Sequence, residues 1–150
     1  MYTKQEASLI RKKFWTRFGQ YMRPLPGAGG EPVNWLNYKT GIKHFYFRMD
    51  AGHQHASVSI ELKHPDPVLQ QKYFLQLQQL KNILQQITGE PWVWQSQQPD
   101  EDGNLISRAG IVLENVNVFR ESDWPAIISF LKPRIMALDE FWEQVKDGFD

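Results

Sequence analysis

From Ala56 to Lys63 the sequence alternates without a fault, Ala56, Val58, Ile60 and Leu62 against Ser57, Ser59, Glu61 and Lys63. A period of two places the apolar set on one side of an extended chain and the polar set on the other, which predicts a half-buried strand. Its partners are expected just upstream. Val33–Tyr38 and Ile42–Asp50 flank Lys39-Thr40-Gly41, which reads as a three-residue hairpin with glycine at a positive-φ position, and a turn around Gly52 leads into the alternating strand. Pairing Trp35 with Phe45 and Phe45 with Ile60 gathers Trp35, Phe45, Phe47, Val58 and Ile60 on one face.

Helices are predicted around these strands. Thr3-Lys4-Gln5-Glu6 fits a capping box, and Ala7, Ile10, Phe14, Phe18 and Tyr21 recur at helical spacing up to about Met22, where Pro24 and three nearby glycines end the helix. Asp66 and Pro67 then fit an N-cap and a first helical position. Leu69, Tyr73, Leu77, Leu80, Leu84 and Ile87 form the stripe of one helix running to a C-cap at Gly89, with glutamine covering its solvated face. Trp92-Val93-Trp94 and Arg108–Leu113 are expected to form a second sheet segment joined across Asp102-Gly103. Ser122 or Asp123 is placed as the cap of a last helix that starts at Trp124-Pro125 and kinks at Pro133. Strands grouped by hairpins predict a single α+β domain over 1–150 with a mostly antiparallel sheet, in the order α-βββ-α-ββ-α, its helices packed on the sheet.

Composition narrows the chemistry. The chain has no cysteine among its 150 residues, which excludes disulfides, zinc–thiolate sites and thiol nucleophiles. No signal-like segment and no run of about 18 apolar residues is found, so no membrane partner is expected and the localisation is read as cytoplasmic. Seventeen basic and seventeen acidic side chains cancel over the chain, but residues 1–48 hold nine basic and two acidic ones, a local +7, leaving −7 for the rest. Arg11, Lys12, Lys13, Arg17, Lys43 and Arg48 are the candidate binding residues for nucleic acid within that basic third. A helical wheel spreads the basic residues of the first helix over several flanks. Pairing with the acidic Asp139, Glu140, Glu143 and Asp147, inside the fold or across a homodimer, is the competing use.

The sharpest catalytic candidate is Asp50 with Glu61 and Lys63. An aspartate followed by Glu-x-Lys on the next strand resembles restriction-endonuclease-like enzymes, in which two carboxylates hold magnesium beside a scissile phosphate and lysine supports the attacking water. Here the expected register places Asp50 roughly 20 Å from Glu61 along the sheet, too far for two ligands of one cation. Asp50, His53 and His55 around the Gly52 turn are weak metal candidates. His44 is expected opposite Glu61, where a carboxylate could orient an imidazole, although no activated nucleophile accompanies the pair. The Gly27–Gly30 loop lacks the ending of a phosphate-binding loop. No cofactor is expected, and magnesium only under the nuclease alternative. Twenty aromatic residues belong mainly to the core, with Trp92 and Trp94 and Phe141-Trp142 as the alternative patches for a ligand or a partner.

Several segments taken together carry a family resemblance. They are Phe14-Trp15 with Phe18–Met22, Val33-Asn34-Trp35 with Tyr38–His44, His64-Pro65-Asp66, and Asp123-Trp124-Pro125 through Phe141-Trp142. Over nearly the whole chain it resembles the bacterial domain of unknown function numbered 4268. The resemblance implies a link to DNA transactions, because longer members carry a nuclease-like region ahead of the domain. It supplies no catalytic residues to carry over. The expectation is therefore a non-catalytic binding or accessory module with an unidentified protein partner, a second copy or a nucleic acid.

Overall fold

The alternating segment sits at the centre of the sheet. A computed structural model describes residues 2–149, and in it β2 (His55–Leu62) lies between β1 (Phe45–Ala51) and β4 (Leu105–Glu114), with β3 (Val93–Pro99) beyond β4. All three pairings are antiparallel. The helices are α1 (Lys4–Met22), α2 (Pro67–Gln78), α3 (Lys81–Thr88) and α4 (Trp124–Val145). The fold is α+β, in the order α-ββ-αα-ββ-α.

One face of the sheet receives the helices. Register makes Phe47, Ile60, Ala109 and Trp94 a single row. Trp142 of α4 meets Phe47 at 5.8 Å and Phe45 at 4.8 Å between ring centroids, and Phe74 of α2 meets Trp94 at 5.9 Å, so both helices cover that same side. Ala56, Val58, Ile60 and Leu62 are all buried there. Each of the larger aliphatic chains contributes about 1.5–3 kcal/mol on leaving water.

The capping box at Thr3 and Glu6 is formed as the sequence predicts. The buried stripe of α1 is Phe14, Phe18 and Met22, however, while Tyr21 is exposed. Steps of four aim Met22, one residue later, at the core. Asp66 caps α2 and Gly89 ends α3 in the left-handed conformation, but the expected single helix is broken at Gln79-Leu80. Neither proline nor glycine causes the break. Phe74 seats α2 on the sheet, whereas α3 packs against α4, and a tightened last turn with Leu80 N–H donating to the Leu77 carbonyl lets the chain change direction. The inward positions of α2 are Gln70, Phe74 and Leu77, so Leu69 of the expected stripe faces outward.

Val33–Tyr38 is not a strand, and Lys39-Thr40-Gly41 makes no hairpin. The segment forms a 3-10 turn at Trp35–Asn37, and the Trp35 indole donates to the Leu25 carbonyl at 2.9 Å, tying it to the end of α1 instead of to the sheet. Phe45 pairs with Leu62, not Ile60, a shift of two that keeps every side chain on its expected face. β3 and β4 join the same sheet, across a turn with Gly103 at φ 80°. Asp123 precedes α4 but makes no side-chain cap, since its Oδ2 accepts from Asn117 N–H at 2.9 Å. Pro133 is accommodated within α4. No helix among the described residues is long and apolar enough to cross a membrane.

A buried polar contact joins α2 to the far edge of the sheet. Ser107 faces the core from β4 and donates to Gln70 Oε1 at 2.7 Å, while its oxygen accepts from Gln97 N–H at 3.0 Å. Gln70 Nε2 donates to the carbonyls of His64 and Leu105, so each polar atom of this buried pair has a partner. Gln97 sits at φ 46° in a bulge between Gln95 and Gln98. The Ser107 hydroxyl thus supports the irregular strand from beneath.

Candidate functional site

Because cross-strand partners share a face, register also writes out the side of the sheet that no helix covers. Its first row is Tyr46, Glu61, Arg108 and Gln95, its second Arg48, Ser59, Gly110 and Val93, and its third Asp50, Ser57 and Val112. Three cations gather around Tyr46 and Glu61. The Arg48 guanidinium lies 4.7 Å and Lys63 Nζ 5.9 Å from the centre of the Tyr46 ring, both within cation–π range. Glu61 receives Lys63 at 3.4 Å, Arg108 at 3.6 Å and the Ser59 hydroxyl at 3.1 Å. Lys63 and Arg108 keep about a third of their side-chain surface in water, so both remain reachable.

This corner opens onto a cleft of about 680 Å³ between His44, Tyr46, Lys63 and His64 on one wall and the Asp100–Asn104 turn on the other. His44 and His64 meet ring to ring at 4.9 Å. His44 has a positive φ of 64°, uncommon for a side chain larger than glycine, and its carbonyl still accepts from Lys63 N–H. Tyr46, not His44, stands opposite Glu61, so the predicted His44–Glu61 pair is not formed. The two-residue register shift is the reason.

The same shift brings Asp50 nearer Glu61 than the sequence suggests, without joining them. Asp50 pairs with Ser57, four positions along β1 from Tyr46, which is about 13 Å at the usual rise. Its Oδ1 accepts from the Ala51 N–H at 2.9 Å. Glu61 and Lys63 are together, Asp50 is apart, and His53 and His55 are exposed at the turn. Among the described residues no three His, Asp or Glu side chains form a group that could hold a metal ion.

The six basic candidates fall into two groups. Arg11 and Arg17 of α1 each lie 4.9 Å from an aromatic ring, of Phe119 and Trp124 respectively, and Arg17 also meets Glu121 at 3.2 Å. Lys12 and Lys13 are exposed on the same helix, whereas Lys43 is exposed in the turn before β1 and Arg48 lies on β1 itself. α1 packs on α4 and on the turn at Trp35, which keeps its charges off the uncovered face.

A second cluster lies where the Gly-rich loop meets α4. Asp139 is buried, and its Oδ1 accepts from the Tyr38 hydroxyl at 2.5 Å while Oδ2 accepts from Ala28 N–H at 2.7 Å. Burial first, then the adjacent carboxylate, pushes the Tyr38 phenol well above its ordinary range. At Gly27 a Cβ would fall 2.6 Å from Val33 Cγ2 and 3.1 Å from Asp139 Oδ2, so glycine is required for this approach. The adjoining pocket is about 370 Å³. Since both Asp139 oxygens already serve the loop and Tyr38, the arrangement is a clamp that fastens residues 27–38 to α4. Sequence reasoning assigned Asp139 to the charged face of the last helix and missed this role. It also missed Tyr46, whose signal was present in the alternation of Tyr46, Arg48 and Asp50 along one strand face.

Neither a curated protein nor a solved structure matches the chain. A family model described as a domain of unknown function, DUF4268, matches residues 10–146, which spans the sheet, its uncovered face and the Asp139 clamp, and the chain therefore belongs to that family.

Proposed function

We propose that the domain is a binding module, with no catalytic step of its own, that holds a single-stranded nucleic acid against the uncovered face of its sheet. The observation that carries this reading is Tyr46 flanked by Arg48 and Lys63 on a face that neither α2 nor α4 covers. Single strands are held by stacking unpaired bases on aromatic rings and guanidinium planes while cations follow the phosphates. Arg48, Lys63 and Arg108 supply the cations beside the ring, with Glu61 between them and Asp100 and Asp102 on the opposite wall of the cleft, and the family's implied link to DNA agrees in direction. The alternative is magnesium-dependent cleavage by Asp50, Glu61 and Lys63. It lacks the spacing, because Asp50 lies about 13 Å along the sheet from the Glu61 row.

Fluorescence anisotropy with a labelled oligothymidylate, titrated at several salt concentrations, tests the proposal. Binding should weaken steadily as salt rises. Lys63→Ala should flatten the logarithmic slope by about 0.7, the value for one phosphate contact on a single strand. Tyr46→Ala should lower affinity roughly fivefold or more, as expected for loss of one stacked base, without changing that slope. No binding at low salt, or binding indifferent to both substitutions, overturns the reading. Cleavage of the oligonucleotide in magnesium, abolished by Glu61→Gln, would establish the nuclease in its place.

A further inference from the structure

Register adds one more row to the uncovered face, at the end where Tyr46 stands. Lys63 N–H donates to the His44 carbonyl at 2.8 Å, and Gln98 pairs with Ile106. One step beyond the Leu62–Ser107 pair Lys63 comes opposite Ile106, so His44, Lys63, Ile106 and Gln98 lie side by side across the sheet. The cleft of about 680 Å³ between this row and the Asp100–Asn104 turn adjoins another of about 600 Å³ that reaches Arg108 and Gln95. Lys63, Asp100, Asp102 and Ile106 line both, which makes them one groove. Its two walls offer opposite chemistry. On the sheet side stand Lys63 and His64, and His64 Nδ1 accepts from Asp66 N–H at 3.0 Å, which leaves Nε2–H as the donor of a neutral ring. On the turn side, Asp100 Oδ1 is used within the turn, accepting from the N–H groups of Asp102 and Asn104, both at 2.9 Å. The Asp102 carboxylate is exposed, and among the described residues no hydrogen bond or ion pair reaches it.

We infer, on the single-strand reading proposed above, that this groove selects the base that enters it beside Tyr46, and that the Asp102 carboxylate makes it favour amino-bearing bases, cytosine over thymine among the pyrimidines. The turn wall repels phosphate, so the backbone of the strand follows the cations of the sheet and the base edge turns toward Asp102. Cytosine presents its N4 amino group there, a donor that a carboxylate accepts, and keeps N3 and O2 as acceptors for Lys63 or His64. Thymine presents the O4 carbonyl in the same place, which sets acceptor against acceptor. Purines carry amino groups as well, but the two pyrimidines share one ring size. Stacking on Tyr46 is therefore common to both, and the contrast between them lies in the edge.

Anisotropy titrations of labelled oligodeoxycytidylate and oligothymidylate of equal length, at neutral pH and one salt concentration, read the selection as a ratio of affinities. The wild type should bind the cytidylate about fivefold or more tightly, the lower end of discrimination by a base-edge contact. Asp102→Ala should bring the ratio to about one, with the thymidylate bound no more weakly than before, because the carboxylate that opposes O4 is gone. Glu140→Ala removes the same charge from an exposed position of α4 and should leave the ratio as it is in the wild type. Since each ratio compares two ligands on one preparation, a partly unfolded variant lowers both affinities together and does not imitate the loss of selection. Equal affinities in the wild type, or a preference that survives in Asp102→Ala, would overturn the inference while the single-strand reading stands. Failure of both oligonucleotides to bind would overturn the two together.

Discussion

At one edge of the sheet, β3 loses register between Gln95 and Gln98, carries Gln97 in a left-handed conformation and ends at Pro99. Its side chains tie it down further. The Gln97 amide donates to the Pro67 carbonyl at 2.8 Å, and the Ser96 hydroxyl donates to Gln71 at 2.8 Å. At the other edge, β1 pairs in unbroken register over seven residues with no proline, glycine or bulge. Bulges, prolines and local tethers are the devices by which sheets avoid adding strands. This protein applies them at β3 and leaves β1 plain. The difference lies in how each edge is covered, β3 by its own bulge and tethers and β1 by the segment before it, whose Tyr38 ring lies 5.0 Å from Phe47 and whose Thr40 hydroxyl donates to the Phe45 carbonyl at 2.8 Å.

The comparison can be sharpened first through stability, where the effect is largest. β1 is anchored by its inner face, where Phe45 is buried among the rings of Phe47, Trp142 and Phe149. Phe45→Ala should cost about 3–5 kcal/mol in urea unfolding. Val93→Ala, at an exposed position on β3, should change stability by less than about 0.5 kcal/mol. Equal losses at the two sites would mean that the strands are anchored alike.

The guard on β3 can be broken from beneath. Ser107→Ala removes the acceptor of Gln97 N–H and the donor to Gln70 Oε1, leaving buried polar groups without partners at a cost of about 1–3 kcal/mol. Amide exchange at Gln97 should accelerate more than at Arg48, whose N–H bonds to β2 and does not depend on that hydroxyl. Uniform acceleration would show that the bulge holds itself.

How far the sequence discloses this architecture depends on the kind of signal. The period-two pattern of Ala56–Leu62 identifies the central strand and its buried side, because that signal is local and belongs to one chain segment. Val33–Tyr38 misleads because Trp35 and Tyr38 suit a strand equally well, and only the distant partners Leu25 and Asp139 hold them in a turn. Gln70 and Ser107 are invisible for a related reason. A polar residue on an inward face reads as a flaw in the stripe until its partner, 37 positions away, is placed beside it. Glu61 and Lys63 were singled out for metal chemistry that needed Asp50 as well. Their actual company, Tyr46 and Arg108, follows from a register that the pattern could fix only to within two residues.

Tyr38 offers a test through pH, because its ring lies 5.0 Å from Phe47 and braces β1 from the covered side. Its folded-state pKa is raised above the ordinary value near 10.0 by burial and by Asp139. The unfolded chain therefore releases this proton first, so the associated stability is complete below about pH 10 and declines as pH rises beyond it. The difference in urea midpoint between the wild type and Tyr38→Phe should be constant from pH 7 to 9 and shrink above 10. Other tyrosines and the lysines titrate in both proteins and cancel. A difference that widened above pH 10 would contradict the burial of a neutral phenol.

The smallest effect on stability, and the most direct test of the uncovered face, comes from Glu61→Gln. Glu61 pairs with two cations that each keep about a third of their side-chain surface in water, so replacing it should change stability by no more than about 1 kcal/mol. The amide oxygen can still accept from Ser59, which limits the structural consequence. Electrostatically the change is larger, because Lys63 and Arg108 then lose the carboxylate that pairs with both of them beside Tyr46. Under the proposed function, the substitution should tighten oligothymidylate binding about two- to fivefold and steepen its salt dependence, as added phosphate contacts require. Gln86→Lys adds a charge of the same sign at an exposed position of α3, which packs against α4 and not on the uncovered face, and should leave both quantities nearly unchanged. If the two substitutions act equally, attraction follows overall charge, and the corner at Tyr46 has no special part in binding.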